Sequence, residues 1–335
     1  MRLLLAATAA SFCVLTGEAA AETFNAARVR VEHAAAMLTV VAEDRSTIDV
    51  TVTGGGRVAA PRVRLDGGAV VVDGGLRNRI QGCGDPVRIR GIGAVPRSEL
   101  PRITVRMPRE LALTAGGAVF ADIGPSAGGE VTLNGCGDTR VGATSGALAV
   151  TLNGSGDVEA GRVGGPLRAA LNGSGSLSVA RAEGEATLLQ NGSGDLSVGD
   201  VGGRLEARLN GSGSMRAANV RGDTELSLNG SGDVAAGQVA GSLEATLRGS
   251  GDIDVASVTG ARALLRTHSS GDVEVRGGRV ERLEARTSGS GDINFGGSAD
   301  ATRISISGSG DIRVVDAGRI EQIVDTGSGD LRTGR

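Results

Sequence analysis

A four-residue string, Gly-x-Gly-Asp or a near variant, recurs through the C-terminal two-thirds of the chain at almost constant spacing. Its second glycine falls at Gly137, Gly156, Gly175, Gly194, Gly213, Gly232, Gly251, Gly271, Gly291, Gly310 and Gly329, in steps of 19 or 20 residues. A degenerate copy, Ala115-Gly116-Gly117-Ala118, stands one step earlier. Spacing this regular persists only if each unit closes one turn of a repeated structure.

Within a unit the apolar residues have a period of two. After Gly156, Val158 and Ala160 alternate, followed by Val163 and then by Leu167, Ala169 and Leu171, with no 3.6-residue rhythm. The position two beyond each marked glycine is apolar throughout except at Thr139. Each unit therefore reads as a short strand, a corner near Gly161 to Gly165, a second strand and a Gly-Ser-Gly-Asp corner. Two such strands cannot bury their inner faces alone, but neighbours stacked about 4.8 Å apart can. The expected fold is all-β: a single-stranded parallel β-helix, or β-solenoid, of 19–20-residue coils, about eleven to twelve of them and roughly 50–55 Å high. A turn of this length does not fit the left-handed hexapeptide repeat, and strand crossovers favour a right-handed path.

Composition agrees with thin stacked layers. Glycine supplies 57 of 335 residues, against a usual share of about 7%. There are four Phe, no Trp and no Tyr, so the core falls to Val, Leu, Ile and Ala. All 35 basic residues are Arg, and 38 acidic residues leave a net charge of -3. That balance offers no basic footprint for nucleic acid.

Stacking turns repeated residues into columns. Asn134, Asn153, Asn172, Asn191, Asn210 and Asn229 precede six successive corners, and their amides are expected to form a ladder along the axis. The column then changes to Arg248, His268, Ser288, Ser307 and Thr326. The corner glycines are expected to supply positive φ. Tight stacking also argues against glycosylation at the Asn-Gly-Ser strings. An acidic column follows: Asp138, Asp157, Asp195, Asp233 and Asp252, then Asp272, Asp292, Asp311 and Asp330. Carboxylates in register could hold a hard cation such as Ca²⁺, or each could bond amides at its own turn. Ser176 and Ser214 interrupt the column, and the calcium nonapeptide is absent, which favours the turn reading. No cofactor is expected.

Three segments are expected. Residues 1–21 have the layout of a secretory leader: Met1-Arg2, an apolar run from Leu3 to Leu15, then Gly17-Glu18-Ala19-Ala20-Ala21 with cleavage after Ala21. Cys13 would be discarded with it, and no transmembrane segment is expected afterwards. Residues 22–114 carry strand-like runs around Val29, Leu38, Ile48, Val70 and Ile103 and are expected to cap one end of the array. Residues 115–335 form the array, whose far end lacks an obvious cap, leaving Arg332 and Arg335 to blunt it. Cys83 and Cys136 both lie in Gly-Cys-Gly-Asp. In an oxidising compartment they favour a disulfide worth about 3–4 kcal/mol, with two buried stand-ins for Ser as the alternative. Their matching contexts suggest matching places in the fold.

Catalytic residues are not evident. The corner acids are repeated rather than singular, aromatic sugar platforms are missing, and His33 and His268 stand far apart. The outward Arg and Glu residues read as a solubilising face or a partner-binding one.

The Gly-Ser-Gly-Asp-[Val/Ile/Leu] array preceded by Leu-Asn, with the upstream Leu100-Pro101-Arg102-Ile103-Thr104-Val105, resembles the bacterial "putative auto-transporter adhesin, head GIN domain" family. The resemblance implies an exported β-solenoid of the cell envelope with a role in adhesion, and it brings no catalytic residues. No series of strands suited to a membrane barrel follows the array, so self-secretion is not expected and the location is periplasm or cell surface. The expectation is an exported, non-enzymatic structural or adhesin-like module that meets an envelope protein or glycan through an extended face. A polysaccharide lyase or hydrolase on the same scaffold, or a cation-binding solenoid, is the alternative. The sequence names neither ligand nor oligomeric state.

Overall fold

The alternating apolar residues build two parallel sheets that face one another. The computed structural model describes residues 21–334; the leader expected over residues 1–21 lies outside these except for Ala21. In a typical coil Leu148–Leu152 runs in one sheet and Val158–Val163 in the other, joined by the Asn153 to Asp157 corner. Leu148 pairs with Leu167, Leu167 with Ala186 and Ala186 with Leu205. In the second sheet Val158 pairs with Leu177 and Leu177 with Leu196. Like positions thus lie over one another through about 12 coils. The two longer coils each carry their extra residue in the turn between Val258 and Ala263, or its counterpart between Gly278 and Leu283.

Inward residues form one continuous core of Val, Leu, Ile and Ala, with Phe295 its largest member at 0% exposure. One column runs Leu152, Leu171, Gln190, Leu209, Leu228, Leu247, Thr267, Thr287 and Ile306. Each polar member makes a side-chain bond at the corner, although the Gln190 Oε1 has no partner among the described residues. The Gln190 amide donates to the Gly194 carbonyl, and the Thr267 and Thr287 hydroxyls donate to those of Gly271 and Gly291 at 3.1 and 3.0 Å. Buried polar groups survive in such a core because they find a partner.

The corner glycines have a different cause from the one expected. None of Gly154, Gly156, Gly173, Gly175, Gly192 or Gly194 has φ in the left-handed region. Instead, a Cβ at Gly154 would collide with the carbonyl of Gly135, and one at Gly173 with that of Gly154. The backbones of successive coils approach too closely there for any side chain, so the constraint is one of space rather than torsion.

The stack is already under way before the repeats become visible. β1 covers Glu22–Phe24, β2 Arg28–Glu43, β3 Ile48–Thr53, β4 Arg62–Asp66 and β5 Ala69–Asp73. β6 is Ile80–Gly82, β7 Val87–Ile89, β8 Gly93–Val95, β9 Arg102–Pro108 and β10 Glu110–Ile123. β2 is a full coil, bending at His33 (φ 49°), and β10 lies parallel on it from Leu113↔Val29 to Ile123↔Val40. The chain between them, together with β1, folds over the exposed side of β2. One half of the coil is covered by β9, then β3, then β1, the last two pairings antiparallel. The other half is covered by β5 and its hairpin partner β4.

β6, β7 and β8 form a small separate sheet that packs on the outer flank of the first coils. There Val87, Ile89, Val95 and Leu100 enclose Ala35, Ala118 and Phe120 in a second apolar cluster. The disulfide Cys83–Cys136 pins this loop to the first Gly-x-Gly-Asp corner, with the Cα atoms 5.6 Å apart. The bridge is present, but the two cysteines do not occupy matching places. Cys136 sits in a coil corner, whereas Cys83 belongs to the appended loop, outside the stack.

At the opposite end the last strands, Arg319–Asp325 and Leu331–Thr333, are paired on one side only among the described residues. Arg332 pairs with Asp311 and Asp330; Arg335 lies outside the described residues.

Candidate binding face along the coil corners

The Gly-Ser-Gly-Asp corners bring two polar columns to one edge of the stack. In the first, each Asn donates its Nδ2 to the Oδ1 of the Asn one coil earlier, from Asn153→Asn134 at 2.7 Å to Asn229→Asn210 at 2.9 Å. The links at Asn172, Asn191 and Asn210 measure 2.7–2.8 Å. Five bonds in one sense tie six coils together, and the column ends where Arg248 replaces the amide.

The Asp column is built by a bond that spans coils. The Asp233 carboxylate accepts the backbone N–H of Asp252, Asp252 that of Asp272, and Asp272 that of Asp292. Asp292 and Asp311 continue the series to Asp330. This corrects the own-turn reading, since the amide accepted belongs to the next coil. The Ser interruptions fit the same geometry. Ser176 donates both its N–H (2.9 Å) and its Oγ–H (2.7 Å) to Asp157, and Ser214 does likewise to Asp195. A hydroxyl between two carboxylates removes one like-charge neighbour and supplies a donor. On the opposite corner Asn219 gives Asp200 its side-chain and backbone N–H groups, which hold that carboxyl below its usual pKa.

A shallow groove lies beside the Asp column near each end of the array. Its wall opposite the carboxylates is the next outward position: Arg140, Glu159 and Ser178 in one groove, and Asp254, Glu274, Asn294 and Arg313 in the other. The first, about 730 Å³, lies where the array meets the appended loop. There the Asp column gives way to Phe120 and then Met37, which occupy the same register in β10 and β2. Arg97 from the loop lies 3.8 Å over the Phe120 ring and bonds Asp138 at 3.1 Å. The groove thus begins at a fixed cation–π lid. Sequence reasoning passed over Arg97 and Met37; the available signal was Phe120, one of four aromatics, next to a degenerate repeat.

Toward the other end the wall is of mixed charge: Asp254 and Glu274 both pair with Arg276, at 3.1 and 3.6 Å, and are followed by Asn294 and Arg313, while Arg332 pairs with Asp330 at 3.4 Å. Asp252, Asp272 and Asp292 hold neighbouring backbone amides instead. The outer faces carry coil-to-coil ion pairs such as Arg266–Glu244 and Arg208–Glu225, each worth about 0–1 kcal/mol.

Asp138, Asp157, Asp195, Asp233 and Asp252 therefore share one edge, but among the described residues no group of three or more His, Cys, Asp or Glu is disposed to hold a metal ion. His33 sits at the β2 bend, 3.4 Å from Asp73, and His268 lies exposed near the far end. The two are not brought together.

Residues 164–257 and 244–333 each match the family model described as "Putative auto-transporter adhesin, head GIN domain". Together they span residues 164–333, 170 of the 335 residues. The chain belongs to this family. The head GIN match covers the regular array from the coil of Ser176 onward and leaves the Arg97–Phe120–Asp138 junction outside it. No curated protein matches the chain. Two solved structures are similar at low identity. One is a putative adhesin from Bacteroides fragilis, 12% identical, covering 95% of this chain and 98% of its own, with a TM-score of 0.21. The other is a putative lipid binding protein from Parabacteroides distasonis, 15% identical, covering 96% and 98%, with a TM-score of 0.25. At these scores the likeness bears no structural inference. Among the described residues no helix is long and apolar enough to cross a membrane.

Proposed function

We propose that this head GIN protein is an exported, non-enzymatic binding module of the cell envelope, and that it engages an envelope protein or glycan along the corner face. The observation that carries this reading is the column of corner carboxylates bonded to the next coil, with a groove beside it at each end, which presents one chemistry repeatedly rather than one constellation at one place. A rigid repeated face suits an extended partner that makes many weak contacts in register. The adhesin description of the family supports the same direction. The leader-like residues 1–21 support export, and the net charge of -3 argues against nucleic acid.

Cell fractionation followed by protease treatment of intact cells tests this reading. Protein recovered in the envelope fraction and cut from outside indicates a surface adhesin. Envelope protein protected until the outer layer is opened indicates a periplasmic module, and cytoplasmic recovery overturns the proposal. The carbohydrate-active alternative draws on the non-repeating Asp122 and Glu159 in the groove beside the appended loop; depolymerisation of any panel polysaccharide by purified protein would establish it. The cation-binding alternative requires the melting temperature to fall with chelator.

A further inference from the structure

Among the described residues, the last coil differs from every other in what it leaves uncovered. Strand Arg319–Asp325 is exposed at every position, with Ile320 at 42%, Ile323 at 48% and Val324 at 41%. Ile323 stacks over Ile304, and Leu331 over Ile312, so these residues extend core columns with nothing laid upon them. The same strand offers an unpaired row of backbone donors and acceptors. The first coil has no such vacancy, since β9, β3 and β1 cover one half and β5 and β4 the other.

We propose that this end is a homotypic interface, on which two copies of the chain abut through Arg319–Asp325. Three observations favour a second copy. A two-fold axis across the stack sets the strands antiparallel, as an isologous contact requires. Arg319 opens the strand and Asp325 closes it, so antiparallel self-pairing brings each cationic start beside the partner's anionic finish. The apolar surface continuing each core is met by the same surface, Ile320, Ile323 and Leu331 against their equivalents. Because the other end is covered, the assembly closes at two: a pair of arrays end to end, with the corner face of each copy on the edge opposite to that of its partner.

Light-scattering mass of the full chain from Glu22 onward, followed upward to about 100 µM where modest interfaces populate, tests the proposal. The expected mass is twice that of one chain. Ile323→Asp is expected to weaken association at least about 30-fold, the effect of losing a central contact. Leu65→Asp, on β4 at the covered end, is expected to leave association unchanged. Gln322→Cys is expected to cross-link copies under oxidising conditions. Should Ile323→Asp lose its far-ultraviolet strand signal, Val324→Arg decides instead, because that side chain stacks over outward Ser305. A single-chain mass at all concentrations overturns the proposal. So does a dimer indifferent to both substitutions at this end, sensitivity to Leu65→Asp, or growth beyond two copies.

Discussion

The two ends of the solenoid solve the same problem in opposite ways. Any stack of parallel strands exposes a bare edge and an apolar floor at each terminus. At the N-terminal end the chain leaves its first coil after Glu43, covers it with parallel β5 and β9, which are flanked in turn by strands of reversed direction, and re-enters the stack at Glu110. The covering strands finish in a three-residue edge, β1, and in β4, whose Arg62, Arg64 and Asp66 make a poor template. Among the described residues, the repeat runs on at the C-terminal end until Ile323 and Leu331 stand without a layer above them. A regular array does not generate its own terminus. It needs sequence that departs from the repeat, and among the described residues that sequence stands at the N-terminal end.

The sharpest break in this comparison is Leu38→Ala. Leu38 lies between Ile103 of β9 and Ala121 of β10 at 1% exposure, and truncation there is expected to cost about 2–5 kcal/mol in chemical denaturation. Next comes Cys136→Ser, which frees the loop at the covered end. A loss of about 3–4 kcal/mol is expected, with faster amide exchange confined to residues 74–101, and reductant should reproduce it in the wild type. Arg97→Ala removes both the Phe120 contact and the Asp138 bond and is expected to cost about 1 kcal/mol, read as a shift in the same denaturation midpoint.

A smaller, pH-dependent effect belongs to the covered end. The Asp49 carboxyl is held below its usual pKa by hydrogen bonds first from Arg45, 2.5 Å away, and then from Thr23. A depressed folded-state value contributes stability that is complete above the unfolded pKa of about 3.9 and is lost as pH falls through the folded one. Asp49→Asn should therefore lower the melting temperature at neutral pH, the gap closing below about pH 4. Equal gaps at both pH values would remove this carboxylate from the account. The smallest effect is expected for Ile323→Ala at the open end: within about 0.5 kcal/mol for the isolated chain, since little is buried there.

How much of this could be read beforehand follows the same division. From Gly137 onward each coil repeats the last, so spacing and alternation fixed strand positions, and the Asn ladder followed from stacking alone. The coil at β2 was beyond reach as a coil because it has no Gly-Ser-Gly-Asp corner and its successor lies across an insertion, residues 44–109. Periodicity carries no information about an element that occurs once. For the same reason the Arg97–Phe120–Asp138 junction went unseen. The corner glycines were recognised for the wrong cause, because sequence shows that a side chain is absent but not whether torsion or a neighbouring backbone excludes it. The Asp column was understood only as far as a single turn, since the amide each carboxylate accepts comes from the next coil.

The glycine-lined corners also make length a modular trait. Gly154 rests on Gly135, Gly173 on Gly154 and Gly192 on Gly173, each coil meeting the next with the same bare surface. Excising one whole register step, such as residues 154–172, joins surfaces that already fit, whereas removing half a step leaves side chains where only hydrogen fits. Evolution or a designer can therefore shorten or extend this molecule like a ruler graduated in steps of about 4.8 Å, and no intermediate marking is available.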